Sequence, residues 1–123
     1  MNLTLGRITK TAAVLMLFAA LSGLSSCEKY TYNPPAGKSN PKFATDIQPV
    51  FTANCIACHN GTRSPDLREG KSYLALTKGG YVNKPGETSK LYSTMTSSSH
   101  APRSTDADKS TVLNWINQGA QNN

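Results

Sequence analysis

The residues that most constrain this fold are two cysteines and a histidine in one short segment, Cys55-Ile56-Ala57-Cys58-His59. Two cysteines three positions apart place their thiols about one helical turn from each other, and the histidine that follows adds an imidazole on the same side. The C-terminal end of a helix supplies this arrangement. Because only 7% of the 123 residues are aromatic, side chains alone would give the chain a thin core.

The Cys-x-x-Cys-His spacing is typical of covalent c-type haem attachment, in which two thiols bond to haem vinyl groups and the histidine binds iron. It predicts one haem c, held by thioethers at Cys55 and Cys58, with His59 as the proximal iron ligand. Three alternatives remain open: a redox dithiol, a structural disulfide, and a zinc site using both cysteines, His59 and His100. No βαβ pattern surrounds the cysteines as a dithiol motif would require. In a zinc site, the adjacent Cys58 and His59 would both have to face one tetrahedral ion.

Residues 1–26 predict an export signal. Arg7 and Lys10 precede an uncharged apolar stretch that is shorter than the roughly 20 apolar residues of a membrane-spanning helix. Leu24-Ser25-Ser26-Cys27 resembles a bacterial lipobox, and this resemblance implies cleavage before Cys27 and its lipidation. The alternatives are an ordinary signal peptide or an uncleaved anchor. We expect an exported protein, anchored by lipid to a bacterial membrane and facing the periplasm, where covalent haem attachment also takes place.

The rest of the chain divides into a lipidated N-terminus with a flexible linker, 27–42, and one domain, 43–123. The linker is rich in Pro, Gly, Asn and Ser. Apolar residues at helical spacing from Phe43 predict a first helix, which begins near Asp46 or Ile47 and runs to Cys55. Further helices are predicted from Thr88 or Ser89 through Met95, over Asp66–Leu76, and from the capping sequence at 105–108 to Gly119. The absence of strand-like alternation predicts an all-α fold.

Three segments of the domain resemble class I c-type cytochromes of the small monohaem type. They are Asp46-Ile-Gln-Pro-Val-Phe-x-x-x-Cys-x-x-Cys-His59, Lys84-Pro-Gly-Glu-Thr-Ser-Lys-Leu-Tyr92 and Trp115-Ile-x-x-Gly-Ala120. The resemblance covers about residues 43–122. It implies a cytochrome c-like fold of three to four helices around one haem, with the first and last helices near one haem edge, and an electron-carrier role.

The sequence departs from that family at the sixth iron ligand, which in the family is a methionine, usually followed by proline, before the last helix. Here His100-Ala101-Pro102 stands near that place, and Met95 lies one turn after Leu91. We expect a six-coordinate, low-spin haem with His100 as the distal ligand. Met95 is the alternative distal ligand, and an open or weakly held position is the third possibility.

The formal charge of +6 lies largely outside the domain. Residues 43–123 contain eight basic and six acidic residues, a formal charge of +2. The lysines of the linker are placed to meet anionic lipid headgroups. Six basic and three acidic residues between Arg63 and Lys90 indicate either a docking face for an acidic redox partner or an ordinary solvated surface. No nucleic-acid motif is present, and we expect a monomer.

These patterns predict a membrane-anchored one-electron carrier that works with redox partner proteins and is not itself an enzyme. A single haem motif excludes a dihaem peroxidase within the chain. The sequence has no Gly-rich phosphate loop and no helpfully spaced Ser/His/Asp constellation. Two functions of other classes remain as alternatives: a haem-based sensor or binding module for a small ligand, with an open or labile sixth site, and a zinc-stapled structural lipoprotein.

Overall fold

The structure, a computed structural model, describes residues 36–123. The predicted signal 1–26, the predicted lipidation site Cys27 and residues 28–35 lie outside this range. Within it the chain forms four α-helices and no strand, which confirms the all-α prediction. The helices are α1 (Gln48–Asn54), α2 (Ser72–Lys78), α3 (Lys90–Thr96) and α4 (Asp106–Asn117). None of the helices in 36–123 has the length and apolar character to cross a membrane.

Helix α1 continues from a short π-helical segment, Phe43–Ile47, so the first helical run begins earlier than the predicted start near Asp46 or Ile47. Pro49 is the second residue of α1 and lies in its first turn, where proline is tolerated. Ile47 and Phe51 are fully buried on the face that the apolar spacing predicted. Phe43 packs its ring against Trp115 of α4, with ring centroids 5.3 Å apart, so the two ends of the domain share one core.

Two of the predicted helix boundaries follow from capping side chains. Ser89 accepts a hydrogen bond from the Tyr92 N–H and begins α3. At α4, Thr105 and Asp108 form a reciprocal capping box, as predicted. Gly119 adopts a φ of +108° just after α4, a backbone conformation that costs glycine little.

The helix predicted over Asp66–Leu76 is wrong in its bounds, because α2 begins only at Ser72. One hydrogen bond and one backbone angle are incompatible with a helix over the preceding residues. The Leu67 N–H donates to the His59 carbonyl oxygen at 2.9 Å, and Gly70 has a φ of +73°. Residues 60–71 therefore form a loop that returns to the end of α1 before α2 begins.

The last part of the predicted linker lies against α4. The Lys38 N–H donates to Thr111 Oγ1 at 3.1 Å, and Asn114 Nδ2 donates to the Lys38 carbonyl oxygen at 2.8 Å. Gly37 is so close to the backbone of α4 that a Cβ there would lie 2.3 Å from the Thr111 nitrogen. Residues 37–42 thus contribute contacts to the domain.

Candidate functional site

The Cys-x-x-Cys-His segment is a hydrogen-bonded turn that extends the C-terminal end of α1. The Cys55 N–H donates to the Phe51 carbonyl oxygen at 2.8 Å, which joins the turn to the helix. The N–H groups of Cys58 and His59 both donate to the Cys55 carbonyl oxygen, at 3.1 and 3.0 Å. Because the backbone of these five residues is tied to itself and to α1, the thiols and the imidazole are carried by one local unit.

A cavity of about 290 Å³ lies in front of this turn. Its volume is near the lower end of the range for small-molecule sites, roughly 300–1,000 Å³. The cavity brings together all five of the residues predicted for haem attachment and iron ligation: Cys55, Cys58, His59, Met95 and His100. Its apolar walls include Phe51, Leu67 and Leu91, which also belong to the hydrophobic core.

The His59 imidazole is oriented by a backbone carbonyl. Its Nδ1 lies 3.1 Å from the carbonyl oxygen of Pro65. A carbonyl oxygen only accepts hydrogen bonds, so Nδ1 of the neutral ring carries the proton and Nε2 keeps its lone pair. Histidines that bind metals commonly have this arrangement, which fixes the ring and raises its basicity. The lone pair of His59 Nε2 is therefore available to bind a metal ion.

The two cysteines are free thiols that differ in exposure. Cys55 is half-buried and Cys58 is exposed. Burial raises the pKa of the Cys55 thiol, a shift that the positive charge of Arg103 partly opposes. The two thiols are not joined to each other, so the disulfide alternative is not realised in this structure.

Met95 and His100 reach the cavity from different kinds of backbone. Met95 lies on α3 and is only 7% exposed, with the core around it. His100 precedes a short 3₁₀ segment, Ala101–Arg103, and is partly exposed. Its Nδ1 lies 2.9 Å from Ser99 Oγ, and a hydroxyl can donate or accept, so this contact leaves the tautomer of His100 unassigned.

The charged side chains that line the cavity are positive, although the negative charge of Asp108 also acts on Cys55. Arg63 and Arg103 line the cavity, and no Asp or Glu of the described range does so. Lys90 adds a third positive charge nearby, with its Nζ 4.6 Å from the centre of the Tyr81 ring, itself part of the cavity wall. The surroundings favour a ligand that carries negative charge.

These features fit a covalently bound haem, since they supply two thiols, an imidazole nitrogen, apolar walls, and cations suited to the propionate carboxylates. They fit zinc less well. Within residues 36–123, no three His, Cys, Asp or Glu side chains lie close enough together to hold a metal ion. The geometry therefore does not favour the zinc alternative.

Sequence reasoning did not identify two residues of this site. Pro65 carries the carbonyl that orients His59, and a backbone contact across a loop has no signal in residue identity. Arg103 follows the His100-Ala101-Pro102 segment, and the effect of its charge on Cys55 depends on the folding of the chain between them. Both residues belong to the site because of tertiary structure.

Comparison of the chain with protein-family models, with curated proteins and with solved structures gave no match.

Proposed function

We propose that this protein is a monohaem c-type cytochrome that carries single electrons at a bacterial membrane. In this proposal residues 43–123 form a cytochrome c-like domain, and lipid on Cys27 anchors the protein on the periplasmic side. The observation that carries the proposal is that one cavity is lined by the Cys55–Cys58 pair, by His59 and by both candidate distal ligands.

The side chains have separate roles. The thiols of the Cys55–Cys58 pair would hold the haem through thioether bonds to its vinyl groups. His59 would bind iron through Nε2, with its Nδ1–H on the Pro65 carbonyl oxygen. His100 is the expected distal ligand and Met95 the alternative. When bound, the haem supplies a one-electron Fe(III)/Fe(II) couple.

The residues around the site would adjust the reduction potential of this couple without forming or breaking covalent bonds. Arg63 and Arg103 would neutralise the propionate carboxylates. Phe51 and Leu91 would keep water from one side of the porphyrin, since both are buried in the core beside the cavity. With no second cofactor motif in the sequence, the natural role is exchange of electrons with partner redox proteins.

The test is a visible absorption spectrum of the full chain, produced in a bacterium that has its cytochrome c maturation machinery. We expect a sharp Soret band and resolved bands on reduction, with the colour retained after denaturation because the haem is covalent. Cys55→Ser combined with Cys58→Ser should abolish the covalent colour. Cys27→Ser is the matched control, since it should release the protein from the membrane fraction and leave the spectrum unchanged.

Other spectra would change the conclusion. A chain without visible absorption would overturn the haem proposal altogether. A broad high-spin spectrum with ready binding of CO would replace the electron carrier with a small-ligand sensor, because a carrier of this type has both axial positions filled.

A further inference from the structure

Gln48 is a polar side chain buried at the start of α1, where apolar residues would be expected. It is 6% exposed, and its partner Ser72 at the start of α2 is fully buried. Burying an amide is costly unless its donors and acceptor are satisfied. The hydrogen bonds that Gln48 makes therefore indicate what its amide is for.

The orientation of the Gln48 amide is fixed by its partners. Nε2 donates to the carbonyl oxygen of Leu67 at 3.1 Å, and a carbonyl oxygen can only accept. Nε2 also donates to Thr52 Oγ1 at 3.2 Å, while the Thr52 hydroxyl donates to the backbone carbonyl oxygen of Gln48. On the other side, the Ser72 hydroxyl donates to Oε1. The network has no unsatisfied member.

Leu67 connects this network to the haem-attachment turn. Its carbonyl oxygen is held by Gln48, and its N–H donates to the His59 carbonyl oxygen at 2.9 Å. Two residues earlier in the same loop, the Pro65 carbonyl oxygen accepts from His59 Nδ1. The segment 65–67 thus lies between the Gln48 amide and both the backbone and the ring of His59.

We infer that Gln48 is a positioning residue for the His59 imidazole, acting through Leu67 and the Pro65 carbonyl. Its amide holds the loop so that the Pro65 carbonyl stays in line with Nδ1–H. A well-aligned bond at Nδ1 makes the imidazole a stronger donor at Nε2, and a stronger donor favours Fe(III). The inference rests on the proposed function, because it concerns the iron ligand of that site.

The decisive variant is Gln48→Met, which keeps the length of the side chain and removes the amide. We expect the ratio of reduced to oxidised protein at a fixed potential to rise about threefold, which is about 30 mV at 59 mV per tenfold change for one electron. In the reduced protein, NMR should also show faster hydrogen exchange of the His59 Nδ1–H. If Gln48→Met does not accumulate, Gln48→Asn replaces it in the same measurements. Its side chain is one methylene shorter and cannot keep the hydrogen bonds with both Leu67 and Ser72.

Ser72→Ala is the matched control, because it removes a buried hydrogen bond to Gln48 and leaves the bond from Nε2 to Leu67. It should lower the thermal midpoint yet keep the reduction potential and Nδ1–H exchange of the wild type. If Ser72→Ala shifts the potential as much as Gln48→Met, or if neither Gln48 variant shifts it, Gln48 has only a structural role. A wild-type chain without covalent haem would instead overturn the proposed function.

Discussion

At the scale of single residues, the two candidate distal ligands would give the iron of the proposed haem different properties. A thioether favours reduced iron and raises the potential, whereas a second imidazole lowers it. Met95 is packed in the core on α3, so it can approach iron only from that helix. His100 lies on irregular backbone between α3 and α4, and its ring contacts the hydroxyl of Ser99. We expect His100 to be the ligand.

Substituting each ligand separately tests this expectation. His100→Ala should convert the ferric haem to a high-spin form and allow CO to bind the ferrous form without displacing a protein ligand. Met95→Leu nearly conserves volume, so it should cost less than about 1.5 kcal/mol of stability and keep the low-spin spectrum. If His100→Ala leaves the iron six-coordinate and its potential unchanged, His100 is not the ligand. Loss of the low-spin spectrum in Met95→Leu would assign that role to Met95.

At the scale of secondary structure, α4 depends on its first turn. The Asp108 N–H donates to Thr105 Oγ1 at 3.1 Å, and the Thr105 N–H donates to Asp108 Oδ2 at 3.0 Å. Asp106 and Asp108 also place negative charge at the positive end of the helix dipole. Because α4 carries the buried Val112, Trp115 and Ile116, loss of its cap weakens the core as well as the helix end.

Thr105→Ala should lower the free energy of unfolding by about 1 kcal/mol, the usual cost of losing a Thr cap. Urea denaturation followed by far-UV circular dichroism measures it. Thr88→Ala is the control, since it removes an exposed hydroxyl that donates only to the Pro85 carbonyl oxygen, outside the four α-helices, and should change stability by less than about 0.5 kcal/mol. Equal losses in the two variants would show that the capping box contributes nothing particular to α4.

The helices show which parts of the fold can be predicted from sequence. Helices α3 and α4 were predicted closely, because their starts depend on local capping residues and their buried faces on apolar spacing. The start of α2 was predicted wrongly, because Leu67 is held by His59 and Gln48, and neither contact is local. The same reason applies to the site. The residues of the Cys-x-x-Cys-His segment are recognisable from spacing, whereas Pro65 and Gln48 join them only through the folded loop.

At the scale of the whole domain, the segment 37–42 is held by charge as well as by backbone hydrogen bonds. Lys38 Nζ donates to the carboxylate of Asp46, whose side chain is only 8% exposed. The Lys42 N–H donates to the other carboxylate oxygen at 2.9 Å. One carboxylate therefore joins residues before the domain core to the start of the first helix, and it adds to the hydrogen bonds that hold this segment against α4.

Stability should consequently depend on pH through Asp46. The hydrogen bonds from Lys38 and from the Lys42 N–H hold the pKa of this carboxyl below its usual value of 3.8. The unfolded chain binds the proton more readily, so the stabilisation is complete above about pH 4 and disappears as the pH falls through the lower folded-state pKa. Asp46→Asn should lower the thermal midpoint at pH 7, and its difference from the wild type should shrink as the pH falls below 3.8. Glu69→Gln, an exposed control, should follow the wild type throughout, and a constant difference between Asp46→Asn and the wild type from pH 7 to pH 2 would contradict an ionic role for Asp46.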